Sequence, residues 1–216
     1  GLLLVGLVGI PVAIQLGAST EAKAPLTTQW TEQRITILHT NDIHGQVRPR
    51  ESGLRSERGG LLALGRTIRA EREAALLDDR PVLLVDAGDF FQGTLEGDRS
   101  RGAVVVDWMN ALSYDAVAVG NHEFDFGIEV MSELSTRAKF PFLGANIRSE
   151  ATNQVPAWLG KRKGDPLDGS AVIRQMGALR VAVIGLTTSH MARLTRKGAT
   201  TGLAFLPEAE ALERVL

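Results

Sequence analysis

Three short segments of the chain combine carboxylates, imidazoles and an amide with glycines. They read "HTNDIHG", "DAGDFFQG" and "GNHEFDFG". Each glycine allows the backbone to turn sharply and to approach a ligand closely. The residues in these segments that can bind a metal or transfer a proton are Asp42, His44, Asp86, Asp89, Asn121, His122, Glu123 and Asp125.

Taken singly, each segment has a structural explanation, such as a turn stabilised by its own side chain, a helix cap or a surface ion pair. Taken together, several carboxylates at one place repel one another and lose hydration unless a cation neutralises them. The chain contains no cysteine, which excludes disulfides, zinc–thiolate sites and a cysteine nucleophile. Ligands restricted to nitrogen and oxygen favour Zn, Mn or a similar divalent metal over a calcium site built from oxygens alone.

The elements that must position these segments follow from periodicity. Short apolar or alternating runs predict strands, and apolar residues at helical spacing predict helices. The predicted strands are residues 34–39, 81–89 (an apolar run that ends in carboxylates), 114–120, 140–147 and 180–188, with residues 170–176 forming a hairpin with the last of these. The predicted helices are residues 59–79, 103–112, 128–138 and 207–216.

Strands that alternate with helices predict an α/β fold with a mainly parallel sheet covered by helices. Ligands of such sheets bind at the carboxyl ends of the strands. All three polar segments directly follow predicted strands. We therefore expect their side chains to meet at one edge of one sheet.

The order Asp-x-His, Gly-Asp, Gly-Asn-His-Glu resembles the signature of the calcineurin-like metallophosphoesterases. The strings "ILHTNDIHG", "GDFFQGT", "GNHEFDFG" and "VAVIGLTT" are similar to the 5′-nucleotidase and UDP-sugar hydrolase branch of that superfamily. The resemblance covers about residues 34–188. It implies a four-layer αββα-type domain with mainly parallel sheets, of which this chain is the N-terminal part and is incomplete at the C-terminus.

The resemblance also implies roles for individual residues. Asp42 and His44 correspond to ligands of a first metal ion, and Asp89 corresponds to a ligand that bridges two ions. Asn121 corresponds to a ligand of the second ion and also contacts the substrate. His122 corresponds to a catalytic residue that faces the phosphate.

In the same pattern, Asp125 orients the His122 imidazole, so the two form a catalytic dyad. Glu123 has no role in the pattern, and we expect it to make a structural contact near the turn. His39 and His190 match no ligand position, and we expect both to be structural or loop residues.

The chemistry implied by the resemblance is hydrolysis of phosphate esters, most simply nucleotides, by a hydroxide activated between two divalent ions. Alternatives within the same fold are a 2′,3′-cyclic phosphodiesterase and a thiosulfohydrolase. An alternative of another class is a catalytically inactive binding protein. The family pattern also contains downstream histidines that do not occur before Leu216, so we expect the isolated segment to bind the second ion poorly and to be impaired.

The balance of positive and negative residues indicates which classes of binding partner to expect. Lys and Arg number 24 and Asp and Glu number 25, giving a formal net charge of −1. A nucleic-acid-binding surface would need clustered positive charge, so no nucleic-acid partner is expected. The expected partner is a nucleotide or another phosphate ester.

The first residues of the chain are apolar from Gly1 to Ile14 and then become small and polar. The pattern predicts a signal peptide or signal anchor over residues 1–24 that lacks a basic leader, with a buried core helix as a third alternative. Residues 25–33 predict a linker, and residues 34–216 the catalytic domain. We therefore expect an exported protein located in the periplasm, at the cell surface or outside the cell, with a possible membrane anchor.

Overall fold

The computed structural model describes residues 2–7, 32–52, 56–160 and 168–216. In chain order the strands are β1 (Leu2–Leu7), β2 (Thr36–Thr40), β3 (Arg50–Ser52), β4 (Ser56–Arg58), β5 (Val82–Asp86), β6 (Ala116–Ala118), β7 (Phe142–Leu143), β8 (Ile147–Ser149), β9 (Ala171–Met176), β10 (Leu179–Leu186) and β11 (Leu203–Phe205). The helices are α1 (Gly60–Leu77), α2 (Leu95–Arg99), α3 (Ala103–Ala111), α4 (Ile128–Arg137), α5 (Met191–Leu194) and α6 (Glu208–Val215). A 3₁₀ turn spans His122–Phe124.

The central sheet is parallel, in the order β2-β5-β6-β7. Helices α1, α3 and α4 each connect two successive strands of this sheet. Helix α1 buries Leu61, Ile68 and Ala75 and exposes most of the charged side chains between them, as its sequence period predicts. The predicted parallel α/β arrangement is confirmed for this sheet.

A second sheet, in the order β1-β10-β9, is antiparallel. The predicted hairpin is confirmed, because β9 and β10 pair from Met176 and Leu179 onwards across a two-residue connection. Gly177 in this connection has a φ of 60°, which is a left-handed conformation that glycine adopts without strain. Such a short connection can join only antiparallel strands, so this sheet differs from the central one.

The packing produces four layers. Leu84 of β5 packs against the helices on one face of the central sheet, in a cluster that includes Met109 of α3. Leu83, which points to the other face, packs against the hairpin in a cluster with Val183. The opposite face of the hairpin packs against Ala211 of α6. The order is therefore helix, parallel sheet, antiparallel sheet, helix, which confirms the predicted αββα architecture.

Residues 140–147 form two strands instead of one. β7 ends at Leu143 and pairs with β6, whereas β8 begins at Ile147 and pairs with β11. The buried side chain of Asn146 lies at the change of sheet, where its amide nitrogen donates to Thr187 O and Leu206 O and its oxygen accepts from Thr187 N.

The predicted N-terminal segments lie largely outside the described residues. Residues 8–31 are not described, and Leu2–Leu7 pairs with β10 as an antiparallel strand. The predicted signal segment and linker therefore stay predictions. Within the ranges that the structure describes, none of the helices combines the length and the apolar character that crossing a bilayer would require.

Candidate metal and phosphate site

The three polar segments meet at the carboxyl edge of the central sheet, as predicted. They follow β2, β5 and β6, which are adjacent in the sheet. The first two loops continue to hydrogen-bond beyond the strand ends: Asp42 N donates to Gly88 O at 3.0 Å, and His44 N donates to Asp89 O at 3.0 Å. These bonds fix the position of the first loop relative to the second.

Three of the predicted ligand residues have a left-handed backbone. The φ angles are 52° at Asp42, 48° at His44 and 58° at Asp89. Such conformations cost on the order of 1–3 kcal/mol each in residues other than glycine and cluster at functional sites. The surrounding hydrogen bonds hold these residues in conformations that their own preferences disfavour.

The side chains of His44, Asp89 and His122 converge. One nitrogen or oxygen atom from each lies within 4.8 Å of the others. Asp42 adjoins this group, since its Oδ1 lies 3.6 Å from His44 Nε2. The two imidazole rings stand edge to face with their centroids 5.1 Å apart. The structure thus brings together four of the six predicted site residues by their side chains.

The Nδ1 atom of each imidazole lies within hydrogen-bonding distance of another group. His44 Nδ1 lies 2.8 Å from Gln92 O. A carbonyl oxygen can only accept, so Nδ1 carries the proton and the Nε2 lone pair is available to a cation. His122 Nδ1 lies 2.7 Å from Asp125 Oδ2, which places a fifth predicted residue directly behind the histidine.

The environment of His122 favours its protonated form. Burial lowers its pKa, but the hydrogen bond to Asp125 and the negative charges of Asp89, Asp125 and Glu123 outweigh burial, so the net pKa is raised. The imidazole is about one-third exposed, whereas the Asp125 side chain is 9% exposed. A buried carboxylate thus supports a histidine that solvent and a ligand can reach.

Asn121 lies in the loop after β6, immediately before the 3₁₀ turn. The next residue, His122, donates its N–H to Asp89 Oδ1 at 2.9 Å, so this loop is tied to the second loop. Asn121 is half-buried beside these groups. Its role as a ligand stays a prediction.

Two buried acids near the site had no role in the sequence-based assignment. Glu123 accepts three backbone N–H bonds, from Asp89, Phe90 and Gly120. Burial and the negative charge of Asp89 raise its pKa to about 7, although the three bonds oppose this. The expected structural contact at Glu123 is present, but residue spacing alone did not indicate its partners.

The second buried acid, Asp86, ends β5. Its Oδ2 accepts from Thr40 Oγ1 at 2.6 Å, its Oδ1 accepts from Gly88 N at 2.8 Å, and Tyr114 Oη lies 3.0 Å from the same Thr40 oxygen. Burial raises the pKa of Asp86 to about 8 despite these bonds. The continuous apolar run that precedes it was the signal available for its burial.

Two glycines allow the second and third loops to touch. A β-carbon added to Gly120 would lie 2.2 Å from Asp89 Oδ1. One added to Gly88 would lie 2.5 Å from Gly120 N. His39 and His190, by contrast, are exposed and lie outside the candidate ligand group that the described residues form.

The residues at the sheet edge fit divalent ions. The donors are carboxylate oxygens and imidazole nitrogens, with an amide nearby and no sulfur, which suits Zn, Mn or similar ions. Because His44 Nδ1 faces Gln92 O, its Nε2 atom faces Asp42 and can bind a cation. The negative charge of the clustered carboxylates also attracts a cation.

Comparison with known proteins identifies the family. Residues 35–169 match the family model described as calcineurin-like phosphoesterase. A snake venom 5′-nucleotidase from Naja atra is 36% identical over 188 residues, covering 83% of this chain and 33% of that protein. The chain thus spans about a third of the length of the curated relatives that it matches.

Solved structures agree with this assignment. The 5′-nucleotidase precursor from Thermus thermophilus superposes with a TM-score of 0.68 at 30% identity, covering 84% of this chain and 33% of that one. The sulfate thiohydrolase SoxB from the same species superposes with a TM-score of 0.70 at 20% identity, over 85% of this chain and 41% of that one, and shows the fold alone. The chain belongs to the calcineurin-like phosphoesterase family.

Proposed function

We propose that the protein hydrolyses phosphate esters of nucleotides, with this chain supplying the metal-binding and histidine-bearing loops. The observation that carries the proposal is the convergence of His44, Asp89 and His122, whose ligand atoms lie within 4.8 Å of one another at the end of the parallel sheet. The 5′-nucleotidase relatives support the nucleotide as substrate.

Within this proposal Asp42 and His44 hold a first divalent ion, Asp89 holds both ions and Asn121 contributes its amide oxygen to the second. Bound divalent ions supply Lewis acidity, which polarises phosphoryl oxygens and lowers the pKa of water. The protein contributes the ligand geometry, which the left-handed backbone at Asp42, His44 and Asp89 sets before any ion arrives.

His122 is the residue proposed to act on the phosphate. Its Nδ1 is engaged by Asp125, so its Nε2 remains for the substrate. The raised pKa of His122 favours the protonated ring, which suits a group that stabilises phosphoryl charge and donates a proton to the leaving oxygen. Asp125 orients the ring and stabilises its positive charge.

We also propose that the protein is exported. The apolar run at the start of the chain supports this proposal, and so does the relative named as a venom protein. Fractionation of cells that produce the whole protein tests it, since an exported protein is expected in the periplasmic, surface or culture fraction. Recovery only from the cytosol would contradict export.

Two substitutions in the whole protein test the division of roles. We expect Asp89→Ala to lose bound metal and AMP hydrolysis together, because a bridging ligand is removed. We expect His122→Ala to retain metal while AMP turnover falls by about 10²–10⁴-fold, the usual range for a general acid or base. Metal content by elemental analysis and phosphate release are the two measurements.

The same pair discriminates against another arrangement. His122 lies within the group of atoms that could hold an ion. Loss of metal in His122→Ala would make this histidine a ligand and would refute its assignment to the phosphate. Full AMP turnover in metal-free wild-type protein would refute the proposed metal dependence, and no AMP turnover in the metal-loaded protein would refute the proposed function itself.

A further inference from the structure

Glu123 is buried to 0% exposure in the 3₁₀ turn that follows Asn121. Its carboxylate forms no salt bridge with any residue that the structure describes. Its Oε2 accepts from Gly120 N at 2.7 Å and Asp89 N at 2.8 Å, and its Oε1 accepts from Phe90 N at 2.9 Å. Burying a carboxylate is costly unless hydrogen bonds replace its hydration, and here backbone dipoles do so.

The bonds of Glu123 join two loops. Asp89 and Phe90 belong to the loop after β5, and Gly120 belongs to the loop after β6. A bond in the opposite direction completes the connection, because Asp89 Oδ1 accepts from His122 N at 2.9 Å. Each loop therefore offers a carboxylate to the backbone of the other.

This arrangement constrains Asp89 at two points. The N–H bond to Glu123 holds its backbone, whose φ of 58° an aspartate rarely adopts. The bond from His122 N occupies Oδ1 and so fixes the rotamer of the side chain. Asp89 can thus present its remaining carboxylate oxygen in a fixed direction before a cation binds.

We propose that Glu123 is a positioning residue that holds Asp89 in its metal-binding conformation through the backbone of the two loops. The proposal rests on the proposed function in one respect, namely that Asp89 is a metal ligand. Groups that orient metal ligands typically change metal affinity 10–100-fold when they are altered. Glu123 contacts neither substrate nor metal in this assignment and acts only through Asp89 and Gly120.

The test is Glu123→Gln in the whole protein, with Mn²⁺ alone as the probe. Glutamine has the same shape as glutamate, but its amide nitrogen is a donor. In the variant this nitrogen would face a backbone N–H that in the wild type donates to a carboxylate oxygen, so that N–H would lose its acceptor. We expect the Kd for Mn²⁺, measured by calorimetry, to rise 10–100-fold. Because all the ligands remain, we expect AMP turnover at saturating Mn²⁺ to recover to within about tenfold of wild type.

Gly198→Ala is the control for a general loss of stability. Gly198 has a φ of 87°, and an added β-carbon would meet only Thr201 Oγ1, at 3.9 Å. This substitution strains the backbone, and its added β-carbon touches none of the described site residues, so Mn²⁺ affinity should not change. If Glu123→Gln lowered the unfolding temperature as Gly198→Ala does but bound Mn²⁺ with wild-type affinity, Glu123 would be merely structural and the proposal overturned.

Hydrogen exchange in metal-free wild-type protein supplies a second measurement in case Glu123→Gln does not fold. We expect the amides of Asp89, Phe90 and Gly120 to exchange slowly, since Glu123 already accepts from them. Exchange as fast as that of exposed loop amides would overturn the proposal. Asp89→Ala separates the proposed function from the positioning role of Glu123. If Asp89→Ala bound Mn²⁺ like wild type, the proposed function would fail. If Asp89→Ala lost Mn²⁺ affinity and Glu123→Gln did not, only the positioning role would be refuted.

Discussion

Substituting alanine for Gly120 would force the loops after β5 and β6 apart. The added β-carbon would lie 2.2 Å from Asp89 Oδ1, 2.7 Å from Asp89 N and 2.8 Å from Glu123 Oε2. Gly120 is not among the residues with positive φ, so alanine can adopt its backbone conformation. The effect of the substitution is therefore steric and directed at Asp89.

The magnitude follows from these distances. Real β-carbons essentially never approach another atom closer than 3.0 Å, so Asp89 Oδ1 and the new methyl group must separate by about 0.8 Å. Metal–ligand distances tolerate deviations of only about 0.2 Å. Overpacking a tight site costs about 1–3 kcal/mol in stability. We therefore expect Gly120→Ala to fold with reduced stability and to lose about 100-fold in Mn²⁺ affinity, the upper end of the range for changes that disturb the orientation of a metal ligand.

The assay is thermal and urea unfolding of the whole protein with and without Mn²⁺. At a free Mn²⁺ concentration of about 100 times the wild-type Kd, a ligand that binds only the folded state stabilises it by about 2.7 kcal/mol. Gly120→Ala should show little of this stabilisation. Gly198→Ala, whose added β-carbon touches none of the described site residues, should retain all of it.

One result would refute the reasoning. If Gly120→Ala bound Mn²⁺ within about threefold of wild type and gained the same stabilisation, Asp89 would not be held by the close approach of the two loops. The contacts around Gly120 would then be incidental to the metal site.

Two further predictions concern the acids behind the site. Asp125→Asn removes the carboxylate that raises the pKa of His122, so the alkaline limb of the pH–rate profile, where His122 loses its proton, should shift to lower pH, and kcat should fall about 10–100-fold. Asp107→Asn, at an exposed pair with Arg137, should leave the pH–rate profile unchanged. The pKa of Asp86 is about 8 in the folded protein, against an ordinary value of 3.8, so the folded protein holds a proton that the unfolded chain releases. The free energy of unfolding of the metal-free protein should therefore fall between about pH 5 and 8 by up to about 1.4 kcal/mol per pH unit. Urea unfolding should show a shallower slope for Asp86→Asn, and an identical slope would contradict the assignment.

The sequence was sufficient to predict most of the fold. The strands before the three loops and helices α1, α3 and α4 were predicted from local periodicity, which depends on neighbouring residues alone. The second sheet was harder, because "SAVIRQM" and "RVAVIGLTT" predict a hairpin but not the surface on which it packs. The separation of residues 140–147 into two strands occurs at Asn146, whose partners lie 41 and 60 residues away.

The sequence by itself determined which residue types follow which strands, and hence that Asp42, His44, Asp89 and His122 would meet at one sheet edge. Only the tertiary structure decided how they meet. The left-handed backbone at Asp89, the contact across Gly120 and the three bonds to Glu123 join loops that are distant in the chain, with Asp89 and Glu123 separated by 34 residues. No rule of residue spacing predicts such contacts. Their energies depend on which backbone N–H groups are removed from water by the tertiary packing.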